Sequence, residues 1–291
     1  MVSVPWYGNY PEHLSVDIHG DATDMSTAIF RMYLDDGFVI AADGRQTKGL
    51  NDEPVSDGIQ KIFPIHDDNK QLGYSMCGTH LFTSNDGNRV IWDLHEEVEK
   101  AVLDPITRRS SSLEGYATRL SRPIYRALET AKRTGEIEAF LENMEKVYPR
   151  GKTIADLHID GYYSRVPSRV TIRFFHVEQQ LQHPSIFLDR DIKRLDLYGS
   201  PRIWTVFDDT NDKRLAPYRP KGYSKAVRWD LRTTTKIAAG YIAACSSPQG
   251  KEIDENAHRI IGGHTHIAIV TPEGFRWAKG YEPMESPTVL P

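Results

Sequence analysis

Cysteine is scarce in this chain: Cys77 and Cys245 are the only two among 291 residues. Two cysteines so far apart do not make a disulfide framework. Long apolar runs are missing too, and nothing approaches the roughly 18 apolar residues of a membrane-spanning helix. The opening, MVSVPWYGNYPEHLSVDIHGD, has neither a basic start nor an apolar middle, so it does not read as a secretory signal. Charge of one sign is not in excess: 36 Lys and Arg stand against 40 Asp and Glu, for a formal net charge of −4. Without a Lys/Arg tract interleaved with aromatics, a nucleic-acid partner is not expected. No Walker-type phosphate loop, fixed-period repeat or low-complexity tract is found. These absences describe a soluble, cytoplasmic protein for which no cofactor and no membrane partner are expected.

What is present is enough apolar material for a core, at 39 % hydrophobic and 10 % aromatic residues. Residues 1–26 mix Pro5, Gly8, Pro11 and Gly20 with Asp17, Asp21 and Asp24, and read as an extended arm or removable leader. Ala28 to Leu34 and Phe38 to Ala42 are apolar strands either side of Asp35-Asp36-Gly37, a hairpin signal. Ile62 to Ile65 and Gly73 to Cys77 read as two more. Val90, Leu94, Val98 and Val102 recur at four-residue steps and predict a helix. Ser111-Ser112-Leu113-Glu114 fits a capping box opening a second helix, which Pro123 is expected to kink. Residues 136–147 predict a third, after a break at Gly135. Alternating strands follow around Leu157 and Ile159, then Val170, Ile172 and Phe174. Ile186 to Leu188 and Ile192 to Leu197 are further strands, residues 230–246 a helix, and Ile267 to Trp277 a closing hairpin. Strands and helices grouped in blocks predict a layered α+β domain rather than a wound parallel sheet.

Chemistry concentrates in residues 25–80. Asp43 and Arg45 lie just past an apolar strand, Lys61 follows in QKIFPI, and a strand ends at Gly78. Each alone is ordinary: an Asp cap, a surface Lys, a turn Gly. Together, Thr27, Gly37, Ala41, Asp43, Arg45, Lys61 and Gly78 resemble the pattern of the proteasome β-subunit-like N-terminal nucleophile hydrolases. Gly199-Ser200 and Gly262-Gly263, with the hairpin after them, extend the resemblance to about residue 281. It implies a four-layer αββα sandwich over residues 27–291, one domain with insertions near 134–152 and 204–226. It also implies a threonine peptidase or amidohydrolase activated by loss of residues 1–26.

In such an enzyme Thr27 is the nucleophile and its own freed α-amine, titrating at about 8, is the base. Lys61 keeps that amine neutral, Asp43 anchors Lys61, and Gly78 donates an N–H to the oxyanion, worth roughly 3 kcal/mol. Ser200 is a supporting hydrogen-bond partner. The resemblance further implies a peptide or unfolded-protein substrate, a homo-oligomer, and a partner ATPase in some assemblies. The chain departs from the pattern in having Ser26 before Thr27 and Ala28 after it. His258 and Ile261 stand where the family carries an Asp and a Ser before Gly-Gly, so only His258 offers a polar partner there. The rival expectation is an inert scaffold similar to proteasome α-subunits, keeping its arm; a small-amide amidase on the same fold is a third.

His264 and His266 share a strand face, but only His258 lies near enough in sequence to be a third ligand, and no metal site is expected. Cys77 and Cys245 sit in a strand and on an apolar helix stripe, and both read as inert core thiols.

Overall fold

The computed structural model describes residues 16–18, 27–48, 53–67, 70–84, 89–147, 152–178, 180–224 and 229–284. The expected leader, 1–26, lies outside them apart from 16–18. In chain order the first strands are β1 (Val16–Ile18), β2 (Ile29–Leu34), β3 (Gly37–Asp43), β4 (Gln46–Lys48) and β5 (Glu53–Ser56). Next come β6 (Ile62–Asp67), β7 (Lys70–Gly78), β8 (Leu81–Thr83) and β9 (Val90–Asp93). Helices α1 (Leu94–Leu103), α2 (Pro105–Arg108), α3 (Leu113–Arg133) and α4 (Glu138–Val147) follow. A second strand block holds β10 (Lys152–Tyr163), β11 (Val166–Val177), β12 (Gln180–Leu188) and β13 (Leu195–Tyr198). After α5 (Pro201–Asp208), α6 (Leu231–Cys245), α7 (Pro248–Ile253) and α8 (Glu255–Ile260), the hairpin β14 (Thr265–Thr271) and β15 (Gly274–Trp277) closes the chain.

Two sheets carry the fold. One runs β1-β13-β2-β3-β14-β15 and the other β12-β11-β10-β7-β6. Every pairing in them is antiparallel except β1 with β13. The β2–β3 hairpin turns through Asp35 and Asp36, with Leu34 opposite Gly37. A Cβ at Gly37 would lie 2.6 Å from the Val270 carbonyl oxygen, so this strand start has no room for a side chain.

β3 and β14 pack against β6, β7 and β10 of the other sheet. Ile29, Phe38, Ile40, Ala42, Ile62, Cys77 and Ala268 fill the space between. α1 and α3 bury their apolar stripes on the outer face of the five-stranded sheet, with Val98, Leu120, Ile124 and Leu128 at the centre. α5 and α6 do the same on the six-stranded sheet through Trp204, Phe207, Ile237 and Tyr241. The molecule is therefore mixed α and β with antiparallel sheets, as the blockwise sequence pattern predicts.

The polar positions alternating with Leu157 and Ile159 do not face water, contrary to a simple reading of alternation. Asp156, His158 and Asp160 of β10 are buried, facing Arg173, Thr171 and Arg169 across the ladder. Arg31 reaches in from the opposite sheet, with Nε 2.7 Å from Asp160 and Nη1 2.5 Å from Asp196. Buried charges persist only when paired in this way; removing one partner of such a pair costs roughly 3–5 kcal/mol.

Three local expectations change. Val90 belongs to β9 and is 53 % exposed, because the Asp93 side chain accepts from His95 and Glu96 N–H and starts α1 there. The α3 cap is Ser112, bonded to Gly115 N–H, rather than Ser111, and the helix runs its full 21 residues with Pro123 inside it. The short helices α5, α7 and α8 carry little periodicity and were not evident; each begins at a Ser or Asp cap.

Candidate active site

The hairpin register sets the geometry. Ile29 pairs with Ala42, so the residues just before β2 lie beside the last residue of β3. The Ala28 N–H donates to Asp43 Oδ1 at 2.9 Å and the Asp43 N–H to the Ala28 carbonyl at 3.2 Å. From the other sheet comes Lys61, immediately before β6, its carbonyl accepting from Met76 N–H. Its Nζ donates to Thr27 Oγ1 at 3.1 Å and to Asp43 Oδ1 at 3.0 Å. Thr27, Asp43 and Lys61 are 2, 0 and 1 % exposed. Three residues spread over 35 positions thus meet in one buried hydrogen-bonded cluster.

Asp43 is the hub. Its Oδ2 also accepts the N–H of Arg45 at 3.2 Å and of Gly262 at 3.1 Å. Burial pushes its carboxyl above the usual range, while the Lys61 charge and the Gly262 and Ala28 N–H groups pull it down. The Arg45 side chain forms an ion pair with Asp57 and bonds the His258 and Arg259 carbonyls, tying the end of α8 to the β3–β4 corner. Gly262 lies in the segment between α8 and β14, and a Cβ there would lie 2.7 Å from the Arg45 guanidinium carbon, so the Arg45 side chain packs directly over this glycine. His258 enters through its carbonyl; its Nδ1 is buried with no hydrogen-bond partner among the described residues.

Gly78 ends β7 at φ +83°, and a Cβ there would meet the Ile154 carbonyl oxygen at 2.5 Å. The following Thr79 N–H bonds that same carbonyl at 2.7 Å, fixing the turn. Ser200 is buried one residue past Gly199, whose missing Cβ leaves contact room for Ala28. The Ser200 hydroxyl donates to Asp254 at 2.7 Å and accepts from Ile203 N–H, capping α5, while its N–H donates to the Tyr241 hydroxyl. Ser200 therefore lies beside the Thr27–Ala28 backbone with its side chain committed to Asp254.

The sequence reading gave no role to Asp254 or Tyr241, and used Gly262 only as a landmark, not as a donor to Asp43. Counting back from Gly262-Gly263 reached His258 and Ile261, but α8 intervenes, and the carboxylate bonded to Ser200 is the cap that starts it. Ile261 is buried in the apolar cluster under the six-stranded sheet. Asp254 ahead of Glu-Asn-Ala was the available signal, a helix cap eight residues before the glycine.

Two histidines surround the cluster. His80, partly exposed, and His266, fully buried, both have imidazoles pushed down to about 4, first by burial. The Lys61 charge adds to both, and His264 to His266. Burial pushes the Cys77 and Cys245 thiols up, as expected of core cysteines.

Cys77, Asp156 and His158 offer ligand atoms within 4.8 Å of one another. The chemistry of the donors does not favour a metal. Arg31 only donates, so His158 Nδ1, 3.1 Å from its Nη1, is the acceptor and Nε2–H faces Cys77 Sγ at 3.3 Å. Both Asp156 oxygens are bonded by Arg173. A cation would have to displace a proton and a guanidinium.

No family model matches the chain, and no curated protein matches it. Among solved structures it is similar to Anbu (ancestral beta-subunit) from Yersinia bercovieri, at 11 % identity, TM-score 0.44 and 88 % coverage of each chain. It is likewise similar to a mutant form of Anbu from Hyphomicrobium sp. strain MC1, at 10 % identity, TM-score 0.44, covering 87 % of this chain and 85 % of that one. These values correct the sequence reading. The chain is not placed in the proteasome β-subunit-like family: no family model or curated relative supports it, and the structural likeness is too weak to do so. No helix among the described residues is long and apolar enough to cross a membrane.

Proposed function

We propose that this chain is a threonine-type N-terminal nucleophile amidohydrolase that cleaves peptide bonds, with Thr27 as nucleophile once residues 1–26 are lost. The observation that carries the reading is the buried contact of Lys61 Nζ with both Thr27 Oγ1 and Asp43 Oδ1. A threonine hydroxyl needs activation, and here it is held against a cation that is itself anchored by a carboxylate. The two sheets with helices on their outer faces support a four-layer αββα sandwich as its scaffold.

Removal of residues 1–26 frees the Thr27 α-amine. That amine takes the hydroxyl proton, through a water where reach requires it, as Oγ1 attacks the substrate carbonyl. The amine passes the proton to the leaving nitrogen as the C–N bond breaks, and water then hydrolyses the Thr27 ester, releasing the acid and restoring the hydroxyl. Lys61 keeps the resting amine in its neutral, proton-accepting form and attracts the developing charge. Asp43 fixes Lys61 and, through the Ala28 and Gly262 N–H groups, the backbone on either side. Gly78 is assigned the oxyanion N–H. Ser200, with Asp254 and Tyr241 behind it, supports the Thr27–Ala28 backbone. The test is hydrolysis of short fluorogenic peptides and of simple amides by the chain and by Thr27→Ala. Loss of turnover in the variant by a thousandfold or more is expected; undiminished turnover overturns the assignment.

One observation favours the inert-scaffold reading instead: Val16–Ile18 pairs in parallel with β13, extending the six-stranded sheet. In that reading the arm is retained as a structural strand, and no peptide or amide is turned over.

A further inference from the structure

His266 stands out among the buried polar groups. It is fully buried on β14, and neither ring nitrogen has a hydrogen-bond partner among the described residues. A buried imidazole left unpaired on both sides costs free energy on the order of 1–3 kcal/mol, so its place calls for a partner. Register says where it points. His266 pairs with Ala42 and therefore shares its face, and Ala42 packs in the inter-sheet cluster with Ile62, the residue after Lys61. Ser75 pairs with Ile62 on that same face, and its hydroxyl too is buried without a partner among the described residues. Lys61 lies close enough for its charge to help hold the His266 ring neutral. Among the described residues, Thr27 Oγ1 and Asp43 Oδ1 are the acceptors of an ammonium that has three N–H groups to give.

We infer that His266 is a positioning residue for Lys61. Its neutral imidazole accepts from one enclosed water, which takes the third ammonium N–H of Lys61 and is also bonded by Ser75. The arrangement aims the two remaining N–H groups at Thr27 and Asp43. The charged and titratable groups that act on the imidazole are His264 on its own strand, with rings 4.8 Å apart, and Lys61 ahead of β6; Asp43 pairs with Thr265 and so lies on the other face, while Cys77 of β7 shares the inter-sheet cluster of Ala42. Trp277 of β15 closes the remaining side. Any effect on turnover rests on the Thr27 reading; the hydrogen bond itself does not.

Two measurements test it. Nitrogen-15 NMR of the His266 ring near neutral pH should show one protonated nitrogen and one hydrogen-bonded acceptor. The acceptor resonance should move to the free-acceptor position in Lys61→Met. The same resonance in both proteins, or a ring protonated on both nitrogens, overturns the inference whether or not the chain is an enzyme. In turnover, His266→Leu should lose tenfold or more in kcat with KM unchanged, and His266→Gln, which keeps an acceptor, should stay within threefold. Equal losses in both variants, or none in His266→Leu, overturn it. If the wild-type chain hydrolyses nothing, the functional reading fails while the NMR comparison still decides the hydrogen bond.

Discussion

Asp43→Asn removes one charge and almost no volume from the hub of the cluster. Four donors converge on the native carboxylate: Ala28 N–H at 2.9 Å, Lys61 Nζ at 3.0 Å, Gly262 N–H at 3.1 Å and Arg45 N–H at 3.2 Å. An asparagine keeps one oxygen. Its NH₂ must face either the Ala28 and Lys61 side or the Gly262 and Arg45 side, setting donor against donor. Lys61, 1 % exposed, is left as a buried cation without its counter-charge. Breaking one side of such a pair costs about 3–5 kcal/mol, a large share of the roughly 5–15 kcal/mol that holds a domain folded. Urea unfolding near neutral pH measures this as a lower midpoint. Adding Lys61→Met removes the stranded cation, so the double variant should recover about 2 kcal/mol relative to the sum of the single losses. A single-variant loss under about 1 kcal/mol, or additivity within about 0.5 kcal/mol, would refute the picture of a tightly coupled buried pair.

The histidines give a pH signature: His80 and His266 titrate at about 4 in the folded chain but at about 6.5 when unfolded. The unfolded chain therefore holds more protons between those values, and stability is full above pH about 6.5 and falls as pH drops toward 4. Urea midpoints that stay level across that window contradict it. Gly78→Ala should lower Tm by several degrees, because φ is +83° and the new Cβ would meet the Ile154 carbonyl at 2.5 Å; an unchanged Tm would show that the turn relaxes freely. Ser200→Ala removes the α5 cap and a donor to buried Asp254, and should cost about 2 kcal/mol in urea unfolding. A loss within about 0.5 kcal/mol, typical of a surface change, would mean that neither bond matters.

Periodicity located the strands and long helices because burial on one face imposes it, as in α6, where Ile237, Tyr241 and Cys245 are all buried. It failed at Val90, where a four-residue spacing ran across a strand into a helix and only the Asp93 cap marked the boundary. In β10 and β11 alternation reports two faces but not that both are buried. Thr27, Asp43 and Lys61, each ordinary alone, were singled out only by the resemblance of their joint pattern, and the structure puts them in hydrogen-bond contact. Asp254 was not, and His266 was read only as one of two histidines on a strand face. Asp254 is displaced in sequence by a six-residue helix, and the importance of His266 lies in which face of β14 it occupies and what stacks over it.

The central claim is that Thr27 becomes the first residue of the working protein. Intact mass and N-terminal sequencing of freshly purified chain, followed over prolonged incubation beside Thr27→Ala, test it most directly. The account predicts a wild-type chain beginning at Thr27 and a variant that keeps all residues before it. A wild-type chain that remains full length throughout would contradict it and leave the retained-arm scaffold as the standing reading.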